Sequence, residues 1–227
     1  MSRMFLVEGK PMKTWNVHVG CRFDCTFCNA RKLALGRLKN VPRYRDGFEP
    51  HLVKEELVKR FQPGDFVFVG YMGDISFAPR CLVILLLGII DEQPGVNFLF
   101  CTKDPDCYHR WRLEFPDNLY LGATIESNLD YGLSQAPEPT YRYVAMKALE
   151  HPHKFISIEP VMDFHLAIFV QWIRDIKPAI IEIGPDNYHN NLREPGTGKV
   201  NFFLDQLRKI CPNVIEKKGL ERLKGGR

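Results

Sequence analysis

The sequence predicts an α/β fold in which parallel strands alternate with outer helices, and three observations support this prediction. The 227 residues are 45% hydrophobic and 26% charged, which are ordinary values for a globular protein and exclude a disordered or collagen-like chain. Short apolar runs end at Gly, Pro, Asp or Asn, as strands commonly do. Helical patterns separate these runs, and this order is typical of βαβ units.

The predicted elements follow one another along the whole chain. Strands are predicted at residues 14–19, 66–69, 97–101, 119–125, 155–158, 179–183 and 213–216. Helices are predicted at residues 50–60, 79–91, 108–114, 141–150, 166–176 and 202–210. No repeat, low-complexity segment or linker interrupts this pattern, so we expect a single domain that spans residues 1–227.

Two architectures are compatible with these elements. Six successive βα units can form a closed or partly open barrel, and a doubly wound sheet is the alternative. In both architectures, ligands bind at the carboxyl ends of the strands. The residues directly after each predicted strand are therefore the candidate site residues.

Charge and hydropathy restrict the class of protein. The net charge of +4, from 31 basic and 27 acidic residues, is too small to indicate nucleic-acid binding by itself. Part of this excess lies in residues 217–227, which we expect to form either a flexible, solvated tail or a phosphate-contacting arm. The longest apolar run, residues 82–90, is too short to cross a bilayer, and the start lacks the apolar core of a secretory signal. We therefore expect a soluble, cytoplasmic protein.

Three of the seven cysteines are crowded into one motif. Cys21, Cys25 and Cys28 have C-x3-C-x2-C spacing directly after the first predicted strand, which indicates metal or cofactor binding. Three thiolates on one loop can bind three irons of a cubane cluster and leave the fourth iron open. A structural zinc site is the alternative, but it needs four ligands. The chain has no second C-x2-C pair, and His18 lies on the strand before the loop.

Alternation along the later strands predicts a polar interior at their carboxyl ends. Side chains two residues apart share a face of a strand. The residues that share the polar faces are Thr124, Glu126, Ser157, Glu159, Glu182, Gly184 and Asp186. Because buried carboxylates need partners, we expect Glu126, Glu159 and Glu182 to converge on the interior. There they either contact a polar ligand or form ion pairs with Arg or Lys.

The cysteine motif resembles that of the radical SAM (S-adenosylmethionine) enzymes, because the aromatic residue Phe27 precedes its last cysteine and the motif follows the first strand of the predicted barrel. Later segments resemble a small phage-associated group of this superfamily that is loosely related to spore photoproduct lyase. These segments are residues 66–74, 101–104, 122–126 and 157–160. The resemblance implies a partial (β/α)6 barrel with parallel strands and outer helices.

The resemblance also implies cofactors and a reaction. Cys21, Cys25 and Cys28 would hold a [4Fe–4S] cluster, whose open iron chelates SAM. The reduced cluster would split SAM into methionine and a 5′-deoxyadenosyl radical, which abstracts hydrogen from a substrate. The electron would come from a donor such as flavodoxin or ferredoxin. Nothing in the sequence names the substrate; nucleic acid is one candidate, and no membrane is expected.

The resemblance also implies which residues at the strand ends contact SAM or the substrate. Residues 71–74 match the Gly-Gly-Glu-like turn that binds the SAM amino group, although a methionine replaces the first glycine and an aspartate replaces the glutamate. The candidate SAM contacts are Tyr71, Met72, Gly73, Asp74, Lys103, Thr124, Glu126 and Glu159. Asp74 could instead be a helix cap and Lys103 an exposed loop residue. Cys101 is a candidate hydrogen donor to the product, with core packing as its alternative.

A second hypothesis belongs to another functional class. The chain could be a noncatalytic zinc- or iron–sulfur-binding module that recognises nucleic acid. Such a module would present a basic face with interleaved aromatic residues. The spread of charge along this sequence does not favour one.

Overall fold

The computed structural model describes residues 6–7 and 10–225, with side chains from Met12 onwards, and helices follow strands over most of that length. In chain order, the strands are β1 (Leu6–Val7), β2 (Lys10–Pro11), β3 (Lys13–Trp15), β4 (His18–Val19), β5 (His51–Leu52), β6 (Phe66–Val69), β7 (Asn97–Thr102), β8 (Leu119–Thr124), β9 (Lys154–Ile158), β10 (Ile180–Ile183) and β11 (Val214–Glu216). The α-helices are α1 (Asn29–Leu35), α2 (Arg80–Asp91), α3 (Asp106–Trp111), α4 (Pro139–Ala148), α5 (Leu166–Ile176) and α6 (Thr197–Ile210). Short 3₁₀-helices lie at Pro42–Tyr44, Lys54–Glu56, Ile75–Phe77 and Leu220–Lys224.

Seven parallel strands form one curled sheet in the order β11–β10–β9–β8–β7–β6–β3. Each strand from β6 onwards is therefore added beside the previous strand of the sheet, always at the same edge. A doubly wound sheet would reverse this order partway, so that alternative is excluded. With α2 to α6 in the connections, the architecture is the predicted α/β partial barrel, whose edges are β3 and β11.

Side chains inside the barrel change from apolar to polar along the strands. Near the amino ends, Phe66, Leu99, Phe155 and Ile180 pack together with Met12. Residues of the same parity further along line a cavity, and these are Cys101, Thr124, Ser157 and Glu182. Residues of the opposite parity contact the outer helices, and in β9 and β10 these are Ile156, Ile158, Ile181 and Ile183. The predicted alternation of the later strands is therefore confirmed.

The outer helices bury apolar side chains against the sheet. In α5, Phe169 and Ile173 are fully buried, as its one-sided apolar pattern predicts. Tyr143 of α4 stacks on Trp172 of α5 with ring centroids 4.6 Å apart, so neighbouring helices also contact one another. Within the described residues, no helix has both the length and the apolar character that a membrane span requires.

Two predicted elements near the cysteine motif differ in the structure. The strand predicted at residues 14–19 is divided, because β4 leaves the sheet and pairs with β5 in an antiparallel ribbon. The helix predicted at residues 50–60 is wrong. His51 and Leu52 form β5, and the Val53 N–H donates to the Val17 carbonyl at 2.8 Å. Tertiary pairing therefore overrides a helix-like sequence pattern here.

The basic segment after residue 216 does not form the solvated tail that its composition suggests. Leu220 and Leu223 are buried, and the 3₁₀-helix that carries them packs on α6. Arg222 forms an ion pair with Glu194 at 2.6 Å. Up to residue 225, this segment is therefore part of the fold.

Candidate functional site

A cavity of about 990 Å³ opens at the carboxyl ends of the parallel strands. This volume is at the upper end of the range for small-molecule sites. We call one side the cysteine half; its lining includes Cys21, Cys25, Cys28, Gly73, Asp74 and Lys103. We call the other side, formed at the ends of β9, β10 and β11, the carboxylate half; its lining includes Ser157, Glu159, Glu182, Tyr188 and Lys217. Tyr71, from the turn after β6, lines the cavity near these charged residues.

Close backbone contacts hold the cysteine loop in place. Gly20 has a φ of +88°, and a Cβ at this position would lie 2.2 Å from the Glu49 carbonyl oxygen. A Cβ on Gly73 would lie 2.7 Å from the Gly20 carbonyl oxygen, which itself accepts the Asp74 N–H at 3.2 Å. Because only glycine permits these approaches, the cysteine loop and the turn after β6 are positioned as one unit.

Backbone N–H groups point at two of the sulfurs. The Phe23 N–H donates to Cys21 Sγ at 3.4 Å, and the Arg31 N–H donates to Cys28 Sγ at 3.3 Å. The second contact makes Cys28 the N-cap of α1, a helix that the sequence pattern did not predict. N–H donors of this kind offset negative charge on metal-bound sulfurs.

The donor set fits an iron–sulfur cluster better than a single metal ion. Among the described residues, no three His, Cys, Asp or Glu side chains are close enough together to bind one ion. A structural zinc site needs four converging ligands, whereas a cubane places each thiolate on a separate iron. His18 is buried in β4, and burial lowers the pKa of its ring to about 4.

Apolar side chains enclose the cysteine motif. Phe23, Cys25 and Phe27 are buried in a cluster that includes Phe77, whose ring centroid lies 4.7 Å from that of Phe23. Burial raises the pKa of the Cys21 thiol, so a bound metal would have to displace its proton. An apolar shell of this kind limits the access of water to a metal site.

Hydrogen-bond donors from neighbouring residues occupy most of the acceptor capacity of the Asp74 carboxylate. Its Oδ1 accepts hydrogen bonds from the Ser76 N–H at 3.0 Å, the Ser76 hydroxyl at 2.8 Å and the Thr102 hydroxyl at 2.5 Å. Its Oδ2 accepts the Lys103 N–H at 3.0 Å. A carboxylate has about four lone-pair sites, so these donors occupy most of its capacity. Asp74 therefore caps Ile75–Phe77, as the helix-cap interpretation proposes, and ties this turn to the end of β7.

Glu126 lies behind Lys103 rather than in the wall of the cavity. One carboxylate oxygen pairs with Lys103 Nζ and the other with Arg142 Nη1 at 2.7 Å; Glu126 and Arg142 are buried and Lys103 is largely buried. Lys103 does line the cavity, and its Nζ lies 5.0 Å from the ring centroid of Phe27. Burial lowers the pKa of Lys103 to about 8. The expected convergence of Glu126 on the cavity is therefore wrong, and its alternative, an ion pair, is observed.

Cys101 lies in the wall of the cavity between the two halves. Its side chain is largely buried, and its Sγ lies 3.6 Å from Thr124 Oγ1. Burial raises the pKa of Cys101 to about 12, so the thiol is protonated at neutral pH. Its sulfur therefore carries a hydrogen atom in the wall of the cavity.

The carboxylate half contains a buried glutamate with one oxygen unsatisfied. Glu182 Oε1 accepts the Ser157 hydroxyl at 2.5 Å, whereas its Oε2 has no hydrogen-bond partner in the described structure. Lys217 Nζ is 3.7 Å from Oε2 and forms a closer ion pair with Glu159. Burial raises the pKa of Glu182; Lys217 opposes this shift and Glu159 adds to it.

Glycine and asparagine residues hold the loops of the carboxylate half together. A Cβ on Gly184 would lie 2.9 Å from Glu159 Oε1 and 3.1 Å from Lys217 Cβ, so a side chain there would separate this pair. Asn187 Nδ2 donates to the Lys218 carbonyl at 2.9 Å and joins the loop after β10 to the segment after β11. Asn190 of the same loop accepts a hydrogen bond from Lys32 of α1, which connects the two halves.

Comparison with known proteins reveals a structural rather than a sequence relationship. No family model and no curated protein matches the sequence. At 10% identity, spore photoproduct lyase complexed with a dinucleoside spore photoproduct matches 94% of the chain with a TM-score of 0.54. A mutant of this lyase with bound AdoMet (SAM) and the same class of ligand matches 92% with a TM-score of 0.53, also at 10% identity. The chain has the radical SAM fold.

At the level of the fold, this finding confirms the resemblance to the radical SAM superfamily and to spore photoproduct lyase. The chain spans 74% and 65% of the lengths of the two lyase chains, respectively. A radical SAM methyltransferase from Sphaerobacter thermophilus matches 92% of the chain and 67% of its own length, at 15% identity and a TM-score of 0.48.

The radical SAM fold brings most of the sequence-predicted site residues to one cavity. The predicted SAM contacts that line it are Tyr71, Gly73, Asp74, Lys103, Thr124 and Glu159. Met72 is instead buried in the apolar cluster beside the cysteine loop. Lys217 is not among the sequence-predicted site residues. It directly follows β11, so its strand-end position is a usable signal, but the basic composition of residues 217–227 favours a tail.

Proposed function

We propose that the chain is a radical SAM enzyme that holds a [4Fe–4S] cluster on Cys21, Cys25 and Cys28 and binds SAM in the adjacent cavity. The main support is the position of three thiols in the wall of a cavity of about 990 Å³; among the described residues, no three His, Cys, Asp or Glu side chains are close enough together to bind one ion. When bound, the cluster and SAM supply a 5′-deoxyadenosyl radical for hydrogen abstraction, with methionine as the second product.

In this proposal, the cysteine loop binds the cluster and keeps water away from it. The N–H groups of Phe23 and Arg31 offset negative charge on Cys21 and Cys28. The aromatic rings of Phe23 and Phe27 shield the same region. A three-cysteine set leaves one iron without a protein ligand, as SAM binding requires.

The turn after β6 and Lys103 are the proposed anchors for the amino-acid end of SAM. The turn at Gly73 offers main-chain carbonyls to an ammonium group, and Lys103 offers a cation to a carboxylate. Asp74 has most of its acceptor capacity occupied, so its role is to orient the Lys103 backbone and the turn. Glu126 acts through Lys103, whose ammonium group it holds.

Other residues complete the proposed SAM site. Tyr71, Thr124 and Glu159 line the cavity and offer hydroxyl and carboxylate groups to the remaining polar atoms of SAM. Met72 supports the turn by packing beside the cysteine loop. These roles follow from position, and each predicts a loss of SAM affinity upon substitution.

Cys101 is the proposed hydrogen donor to a product radical. The Cys101 S–H bond would break homolytically, its hydrogen atom would form the new bond in the product, and a thiyl radical would remain on sulfur. Reduction of this thiyl radical requires one electron and one proton, for which reduced flavodoxin or ferredoxin is the proposed electron source. We further propose that residues 1–227 form one domain of a cytoplasmic enzyme.

Anaerobic reconstitution followed by turnover tests this function. We expect about four irons and four sulfides per chain. With dithionite and SAM, we expect slow release of 5′-deoxyadenosine even without substrate. Intact SAM in the presence of a reduced cluster would contradict catalysis. A colourless protein that binds zinc instead would support the noncatalytic module.

A further inference from the structure

The carboxylate half has a buried acceptor that the protein itself does not satisfy. Glu182 is only 4% exposed and lines the cavity, and its Oε2 accepts no hydrogen bond from the described residues. A buried polar atom without a partner costs free energy. A ligand that donates a hydrogen bond at this position would remove that cost.

The charges around Glu182 favour a cationic donor. Among the described residues, Glu159 and Glu182 form ion pairs with one ammonium group, that of Lys217. The other acidic residues of this wall have partners: Asp186 accepts hydrogen bonds from Asn190, and Glu216 pairs with Arg208 and Lys224. When both carboxyl groups are ionised, Glu159, Glu182 and Lys217 therefore carry a net negative charge that one positive group would balance.

Aromatic residues add a second feature of ammonium recognition. Tyr71 and Tyr188 both line the cavity, and the phenol of Tyr71 is close enough to Glu159, Glu182 and Lys217 for their charges to affect its pKa. An ammonium group gains free energy from the face of an aromatic ring, and more so when water is excluded. Carboxylates combined with tyrosine rings favour a protonated amine over a neutral hydroxyl or amide.

We propose that the carboxylate half contains a subsite for a protonated primary amine of the substrate, bound by Glu182 beside Tyr188; Glu159 and Tyr71 border both this subsite and the proposed SAM site. The subsite lies across the cavity from the cysteines, so the amine would orient the substrate toward the cysteine half. The role of this subsite in orienting a substrate rests on the proposed function, whereas binding of the amine itself does not require the cluster.

Titration with n-butylamine, followed by NMR at about pH 8, tests this subsite in the full chain. At this pH the amine is protonated. We expect n-butylamine to bind at least about tenfold more tightly than n-butanol, because a hydrogen bond to a charged group is the stronger one. Glu182→Gln should weaken amine binding by about tenfold to hundredfold, whereas Glu150→Gln, an exposed control, should not change it.

A second variant separates recognition from structural damage. Lys217→Gln removes the cation that competes for both carboxylates, so it should tighten n-butylamine binding, whereas damage to the subsite would weaken it. Equal affinities for n-butylamine and n-butanol, or unchanged amine binding in Glu182→Gln, would overturn the proposal.

SAM also carries an amino group, so a separate experiment tests whether SAM itself occupies this subsite. In the reconstituted protein, saturating SAM should leave n-butylamine binding intact; complete displacement would assign the subsite to SAM and overturn the substrate assignment. The triple variant Cys21→Ala, Cys25→Ala, Cys28→Ala should still bind n-butylamine. Absence of SAM cleavage with intact amine binding would refute only the proposed function, and the reverse result would refute only the subsite.

Discussion

The two halves of the cavity differ in how their buried carboxylates are satisfied. In the cysteine half, Asp74 accepts hydrogen bonds from three residues, and the neighbouring Glu126 pairs with Lys103 and Arg142. In the carboxylate half, one oxygen of Glu182 has no hydrogen-bond partner in the described structure. Because satisfied carboxylates maintain geometry and an unsatisfied one favours a ligand, we propose different roles for similar residues at strand ends.

The largest expected effect is the loss of the cluster from the cysteine half. Replacing Cys21, Cys25 and Cys28 with Ala should reduce the iron and sulfide content of reconstituted protein from about four per chain to background, because these thiols are the proposed ligands. Cys81→Ala is the control, since Cys81 is exposed on α2 and does not line the cavity. Full iron and sulfide content in the triple variant would refute the ligand assignment.

The next largest effect should come from breaking the ion pairs behind Lys103. Glu126→Gln leaves two buried cations without their carboxylate, which costs roughly 3–5 kcal/mol. For a domain of this size, the melting temperature should fall by roughly 6–20 °C. The exposed variant Glu150→Gln should melt like the wild type. A normal melting temperature combined with lost SAM affinity would instead make Glu126 a direct ligand contact.

A smaller loss of stability is expected at the junction of the cysteine loop and the turn after β6. Gly73→Ala places a Cβ 2.7 Å from the Gly20 carbonyl oxygen, so the backbone must shift, at a cost of about 1–3 kcal/mol. Gly88→Ala in α2 meets no atom within 4 Å and should stabilise the helix by about 0.5–1 kcal/mol. We expect the melting temperature to fall in Gly73→Ala and to rise in Gly88→Ala. Similar melting temperatures for the two variants would show that the junction is loose.

The smallest effect should be a pH-dependent change at Glu182. Burial raises the pKa of its carboxyl group, so the folded chain binds this proton more tightly than the unfolded chain does. The corresponding stability is present below the ordinary pKa of Glu and is lost as the pH rises through the raised pKa. Glu182→Gln should therefore melt like the wild type at about pH 5 and at a higher temperature at about pH 8. A lower melting temperature at about pH 8 would show that the Glu182 charge stabilises the fold through Lys217.

The sequence predicts the barrel better than it predicts the cysteine region. The alternation of Ile156, Ser157 and Ile158 indicates correctly which side chains face the interior, because the period of a strand is independent of distant contacts. The antiparallel pairing of His18 with Leu52 joins segments far apart in sequence, so local pattern favours a helix there. Helix α1 is short and capped by a cysteine, and lacks the usual start signals.

The same limit applies to the candidate site. Strand-end position identifies Lys103, Glu159 and Glu182 as residues near the cavity, because parallel strands end at one edge. It does not reveal that Arg142, in the middle of α4, reaches Glu126, because a helix contact depends on tertiary packing. Sequence alone therefore locates the site, whereas the structure separates positioning residues from those open to a ligand.

EPR spectroscopy of the reduced, reconstituted protein with and without SAM tests the central claim most directly. If Cys21, Cys25 and Cys28 hold a cluster with one open iron, SAM should change the spectrum of the reduced cluster, because its amino and carboxylate groups become iron ligands. Lys103→Ala should require a higher SAM concentration for the same change, by roughly tenfold or more, because it removes the proposed carboxylate anchor. A reduced cluster whose spectrum is identical with and without saturating SAM would contradict the radical SAM function.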